Sequence, residues 1–246
     1  MFRFYLTILI NLYQIPYCLI KMTYYAKHPE KYDEATRYAL GCKIARMVQR
    51  TSRIKTTGYG MENLPKEGGY LMFPNHQGRY DMVSIITCHE KPCTYIMAED
   101  RSHKPITSQM CDLLQAKRMM RDDLKQSLKV IFDVAEEVKN GKRYIIFPEG
   151  SYDHDHSDNK MGEFKPGCFK TALKSKAPIV PVALIDSYKA YEGVSYKKVF
   201  TETHFLTPIY FEEYQGMSTH EIADLVKERI QEAIDSIMTA RDSATI

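Results

Sequence analysis

The sequence of 246 residues contains no low-complexity tract and no internal repeat, which excludes solenoid, fibrous and disordered classes. Its six cysteines (Cys18, Cys42, Cys88, Cys93, Cys111 and Cys168) never fall in a CxxC pair. That argues against a disulfide framework and a zinc ribbon, and predicts reduced thiols. There is no GxSxG elbow, so a serine hydrolase of that kind is disfavoured. No zinc-finger or RNA-binding signature is present, and nucleic acid is not an expected partner. Long apolar runs are also missing. The best stretch, residues 4–20 between Arg3 and Lys21, is short for a span and is interrupted by Asn11, Gln14 and Pro16. No small-residue cleavage site follows it, so it does not read as a signal peptide.

What is present is one domain's worth of ordinary globular sequence with an uneven charge. Net charge is +3, yet residues 1–60 hold ten Lys/Arg against three Asp/Glu, leaving the remainder at −4. A basic N-terminus rich in tyrosine (Tyr5, Tyr13, Tyr17) suits an anionic bilayer surface. The expectation is a helix lying in the interface, attached peripherally or monotopically to the cytoplasmic face of a membrane. Packing of this helix on the protein's own core is the competing reading.

Residues 30–50 read as a helix, and glycines and a proline in 51–69 mark a boundary. The expected organisation is a basic, apolar, membrane-associating helical segment over 1–55 and one domain over 56–246. In that domain "YLMFP" (70–74), "CTYIMA" (93–98), "RYIIFP" (143–148) and "PIVPVALI" (178–185) read as buried strands. A helix from about Asp122 places Leu124, Leu128, Ile131, Phe132, Ala135 and Val138 on one face and stops at Asn140-Gly141. Ser218 and Glu221 stand in capping-box spacing before a C-terminal amphipathic helix. The alternation predicts an α/β fold, a mixed and mainly parallel sheet flanked by helices.

Two strand–Pro–polar junctions stand out, "FPNH" and "FPEG", and in a mainly parallel sheet both would reach the same edge. On the stretch "LMFPNHQGRYDMVSI" alone, two readings of His76 and Asp81 stand. They are an active histidine with its carboxylate, or a turn residue and the N-cap of the next helix.

Four blocks decide between them. "NHQGRYD", "AKRMMRDD", "FPEGS" and "APIVPVAL" occur in that order, with the spacer "EFKPGCFKTALKSKAP" before the last. Together, over roughly residues 57–210, they resemble the glycerolipid acyltransferase family with the His-x4-Asp motif, which includes 1-acylglycerol-3-phosphate acyltransferases. The resemblance implies transfer of a fatty acyl group from an acyl-CoA or acyl-carrier-protein thioester to the hydroxyl of a lysophospholipid, with no bound cofactor. It implies His76 as base and Asp81 as its partner. It also implies Arg121, Glu149, Gly150, Ser151 and Lys165 as acceptor-binding residues. The family commonly continues its third block with Thr-Arg, where this chain has Ser151-Tyr152; Arg79 is the expected source of the missing charge. The alternatives are another lysolipid or amphiphilic alcohol as acceptor, or a lipid-binding relative without activity. The run 152–160, with His154, His156 and aspartates, is read as a solvated loop rather than a metal site.

Overall fold

A computed structural model describes residues 1–152 and 157–243. In chain order the helices are α1 (Phe2–Ile10), α2 (Ile15–Lys27), α3 (Glu34–Thr51), α4 (Asp81–Cys88), α5 (Glu99–Ser102), α6 (Thr107–Leu113), α7 (Leu124–Lys139), α8 (Lys170–Ser175), α9 (Phe211–Tyr214) and α10 (Thr219–Ser243). The strands are β1 (Ile54–Tyr59), β2 (Tyr70–Pro74), β3 (Thr94–Ala98), β4 (Lys117–Met119), β5 (Arg143–Ile145), β6 (Ile179–Ile185) and β7 (Val199–Phe205).

The strands form one sheet in the order β1-β7-β6-β2-β5-β3-β4. Every neighbouring pair is parallel except β6 and β7. β2 and β6 lie inside the sheet and every residue of both is buried. This is why they read as continuous apolar runs without alternation: helices cover both faces. The two cores confirm it. One face packs Tyr70, Met72, Ile145 and Val182 with α2, α3 and α4, and the other packs Leu71, Phe73, Tyr144 and Ile179 with α7, α8 and α10.

α7 begins and ends, and α10 begins, where the sequence places their caps. The Asp123 carboxylate accepts the Gln126 amide at 2.9 Å at the start of α7, and Gly141 takes φ +95° just past its end. At α10 the Ser218 amide donates to the Glu221 carboxylate at 2.7 Å, and the Glu221 amide to Ser218 Oγ at 3.3 Å. The face of α7 differs from expectation. Val130, Ile131, Val134, Ala135 and Val138 are buried, but Leu124 and Phe132 are exposed.

The N-terminal segment is built the opposite way from a core helix. Arg3, Thr7 and Asn11, spaced four apart, form the buried stripe of α1 and the residue capping it. Arg3 donates to the carbonyls of Ser52 (2.8 Å), Ser195 (3.0 Å) and Lys197 (2.8 Å). Asn11 donates to Thr51 Oγ1 at 2.7 Å, and Thr7 and Ser52 share a hydroxyl bond at 3.0 Å. Tyr5, Leu9, Leu12, Tyr13, Tyr17 and Ile20 are left exposed. Of the polar interruptions, Asn11 is thus an attachment point, alongside Arg3 and Thr7. Among the described residues, no helix is long and apolar enough to cross a membrane. β1 runs through the expected boundary near residue 55, and Met22, Tyr38 and Cys42 share a core with the sheet.

Candidate active site

Parallel pairing sets the site. β2, β3, β4, β5 and β6 all point the same way, so the loops that follow them leave one edge of the sheet. These loops carry His76, Arg121, Glu149 and Ser187, and the short helix α5 after β3 carries Arg101. Asn75 fixes the first of them. Its side chain donates to the Leu184 carbonyl (3.1 Å) and accepts from the Leu184 amide (2.7 Å), tying the end of β2 to β6.

His76 Nδ1 lies 2.6 Å from Asp81 Oδ2. The same oxygen accepts the amides of Gln77 (2.7 Å) and Gly78 (2.9 Å), and Oδ1 accepts Ser187 Oγ at 2.5 Å. Asp81 is fully buried, with four donors around its carboxylate. It is not the N-cap: Tyr80 is, and Asp81 is the first residue of α4. Its carboxylate folds back on the loop before the helix rather than on the helix's own amides. With Nδ1 held as the donor to a carboxylate, Nε2 is the nitrogen left to accept a proton. The ring packs 4.1 Å from Phe147 and edge-on to Tyr152 at 4.8 Å.

Glu149 braces this arrangement. Its Oε1 accepts the His76 amide at 2.7 Å and its Oε2 accepts the Gly162 amide at 2.9 Å. It is buried and is not among the described residues lining the cavity, so its place is beneath the site rather than on the acceptor's wall. Gly150 has φ +74°, and Lys165 Nζ would sit 3.1 Å from any Cβ added there. The positive φ calls for glycine, whereas the flexible Lys165 side chain would need to give only slightly.

A cavity of about 770 Å³ opens beside His76, within the ordinary size of a small-molecule site. Arg79, Arg121, Gly150, Ser151 and Lys165, all expected from the sequence, line it. Arg79 turns toward α1, its guanidinium 5.2 Å over the Phe4 ring. Sequence reasoning missed Arg101 and Lys104, which line the same cavity; Arg101 lies 4.8 Å over the Tyr152 ring. Nothing in the strand pattern marks α5 as a site element. Much of the remaining wall is apolar, with Tyr95, Met97, Met119, Leu128, Ile131 and Ile146. Cys168 also faces it; its Sγ donates to the Lys165 carbonyl at 3.1 Å, and burial raises the thiol, which disfavours the thiolate. Of the residues weighed for a metal, His154 and His156 lie outside the described residues.

Behind the dyad runs a second polar layer. Gln77 Oε1 accepts the amides of Ser187 (2.9 Å) and Tyr188 (3.3 Å), and its Nε2 donates to Asn159 Oδ1 (3.0 Å). Asn159 bonds Asp186, which pairs with Lys189 and with Arg241 of α10, each at 2.9 Å. Burial alone would raise the Asp186 carboxyl, but Lys189, Asn159 and Arg241 outweigh it and hold it below the ordinary range.

A base oriented by a buried carboxylate, at the mouth of a cavity with apolar and cationic walls, defines an acyl- or group-transfer site, and the comparisons agree on its class. The family model described as Acyltransferase matches residues 55–185, just over half the chain, and the chain belongs to that family. Among individual proteins it is similar to a 1-acyl-sn-glycerol-3-phosphate acyltransferase of Saccharomyces cerevisiae, 26% identical over 182 residues, covering 72% of this chain and 59% of that one. A chloroplastic 1-acyl-sn-glycerol-3-phosphate acyltransferase, BAT2 of Brassica napus, is 26% identical over 136 residues, 55% of this chain and 38% of that one. The matches therefore span less than two thirds of these relatives' own length. The crystal structure of the 1-acyl-sn-glycerophosphate acyltransferase PlsC from Thermotoga maritima superposes with a TM-score of 0.73 at 18% identity, over 96% of this chain and 98% of that one. The fold is shared over nearly the whole chain.

Proposed function

We propose that the protein transfers a fatty acyl group from an acyl-CoA or acyl-carrier-protein thioester to the free hydroxyl of a lysophospholipid, 1-acylglycerol-3-phosphate first among them. The observation that carries this reading is the His76–Asp81 pair opening on a cavity that combines an apolar wall with an excess of cations. A molecule with a fatty chain and a phosphate fits both halves of that lining. His76 Nε2 takes the acceptor's hydroxyl proton as its oxygen attacks the thioester carbonyl. Asp81 stabilises the imidazolium, and the proton passes to the departing thiolate as the C–S bond breaks. The products are an ester and a free thiol, with no cofactor and no metal required. Direct attack is preferred over an acyl-enzyme, because among the described residues no serine hydroxyl is hydrogen-bonded to His76, and Ser187 is bonded to Asp81.

The acceptor is drawn from the cytoplasmic face of a membrane, on which α1 and α2 rest. The inward polar stripe and outward apolar face of this segment, together with the basic excess of residues 1–60, support peripheral attachment. One observation favours another head group: Tyr152 carries no charge where the family commonly has arginine. Arg101, stacked on Tyr152, supplies a guanidinium at that wall. The test is purified protein with isotope-labelled acyl thioester and a panel of lysolipids, read by mass spectrometry. Labelled phosphatidic acid supports the first acceptor, a different labelled ester the second, and free fatty acid alone would overturn both.

A further inference from the structure

We propose that Ser187 is a positioning residue for the dyad, holding the Asp81 carboxylate in the plane that His76 needs. This rests on the acyl-transfer reading above, but its first readout does not depend on turnover. Ser187 follows β6 and is remote in sequence from both residues it serves. Its hydroxyl donates to Asp81 Oδ1 at 2.5 Å, on the oxygen that His76 does not use. Both oxygens of the carboxylate are therefore engaged from opposite sides, and rotation about its Cβ–Cγ bond would break a bond to one side or the other. The serine is itself held. Its amide and that of Tyr188 both donate to Gln77 Oε1, and the preceding Asp186 amide donates to Asn159 Oδ1 at 2.6 Å. Ser187 and Asp81 are both essentially inaccessible, so water does not replace the bond when it is lost.

The hydroxyl has a definite electrostatic consequence. By donating to the carboxylate it draws off part of the negative charge that faces the imidazole. Removing it makes Asp81 a stronger partner for imidazolium, and His76 then titrates at a higher pH. The other charged or titratable groups around the pair stay in place: Glu149 beneath the His76 amide, Tyr152 at the ring edge, Arg79 on the cavity wall, and Asp186 committed to Lys189 and Arg241.

The experiment is NMR titration of the His76 ring in the full chain, for wild type, Ser187→Ala, Ser187→Thr and Gln77→Met, with steady-state acyl transfer alongside. Ser187→Ala is expected to move the His76 midpoint up by about half to one pH unit. It is expected to lower kcat about tenfold, with both Michaelis constants nearly unchanged. Ser187→Thr, which keeps the hydroxyl, restores both. Gln77→Met, which keeps the Ser187 hydroxyl but removes the acceptor of the Ser187 amide, shifts the midpoint the same way by less, and serves if Ser187→Ala fails to fold. An unmoved midpoint in folded Ser187→Ala overturns the inference, as does a loss of kcat with an unmoved midpoint and a lowered melting temperature. A shifted midpoint in a protein without acyl transfer would sustain the positioning role and overturn the reaction instead.

Discussion

The outward face of the N-terminal segment makes a prediction whose size follows from its exposure. Leu9 is 65% exposed, Leu12 58% and Ile20 71%. Full burial of such a side chain is worth about 2 kcal/mol, so insertion of the exposed two thirds contributes about 1.3 kcal/mol each. Replacing all three with serine removes up to about 4 kcal/mol of bilayer affinity, a drop of several hundredfold in partition coefficient. Deleting residues 1–22 is a poorer test. It would also remove the three Arg3 bonds and the buried Met22, so loss of binding would be mixed with loss of fold. The assay is co-sedimentation with vesicles of mixed neutral and anionic phospholipid at low and high salt. The triple variant is expected to remain in the supernatant with an unchanged melting temperature. Wild type is expected to be released only partly by salt, because apolar burial is not screened. A triple variant that binds like wild type, or complete release of wild type by salt, would refute the reasoning.

Three further outcomes follow from the core and the cavity wall. His89 is buried with its Nδ1 donating to the Lys91 carbonyl (2.7 Å) and its Nε2 accepting the Tyr70 hydroxyl (2.6 Å), and burial lowers it to about 4. The unfolded chain takes up that proton near pH 6.5, so the stability held above 6.5 is lost as pH falls toward 4. Urea unfolding at pH 7 and 4.5 should show wild type losing about 2 kcal/mol more than His89→Gln; equal losses would contradict it. Arg121→Ala should raise the acceptor's Michaelis constant roughly ten- to a hundredfold and leave that of the thioester nearly unchanged, as initial-rate kinetics will show. Arg79→Ala should be milder, since its guanidinium is engaged over Phe4.

The parts of this molecule that were legible in its sequence are those in which one residue type has one use. β2 and β6 were visible because strands buried on both faces must be apolar throughout. The ends of α7 and α10 were visible in their caps. His76 and Asp81 were visible through spacing and through their block. β1 and β7 were not, because "IKTTGY" and "VFTETHF" are polar at alternate or most positions. Asn11 looked like an interruption in an apolar helix; it is an attachment point, and a sequence cannot show which side of a helix is inside. Ser187 and Arg101 were invisible for a related reason. Each acts through a partner more than 45 positions away, Asp81 in one case and Tyr152 in the other.

The central claim is that His76, oriented by Asp81, removes the acceptor's proton. The most direct measurement is the rate of labelled acyl transfer to lysophospholipid by His76→Ala, beside wild type, with circular dichroism showing both folded. A lost general base costs about 10²–10⁴ in rate, and the account predicts a fall of that size with the acceptor still bound. Turnover at the wild-type rate by a folded His76→Ala protein would contradict it.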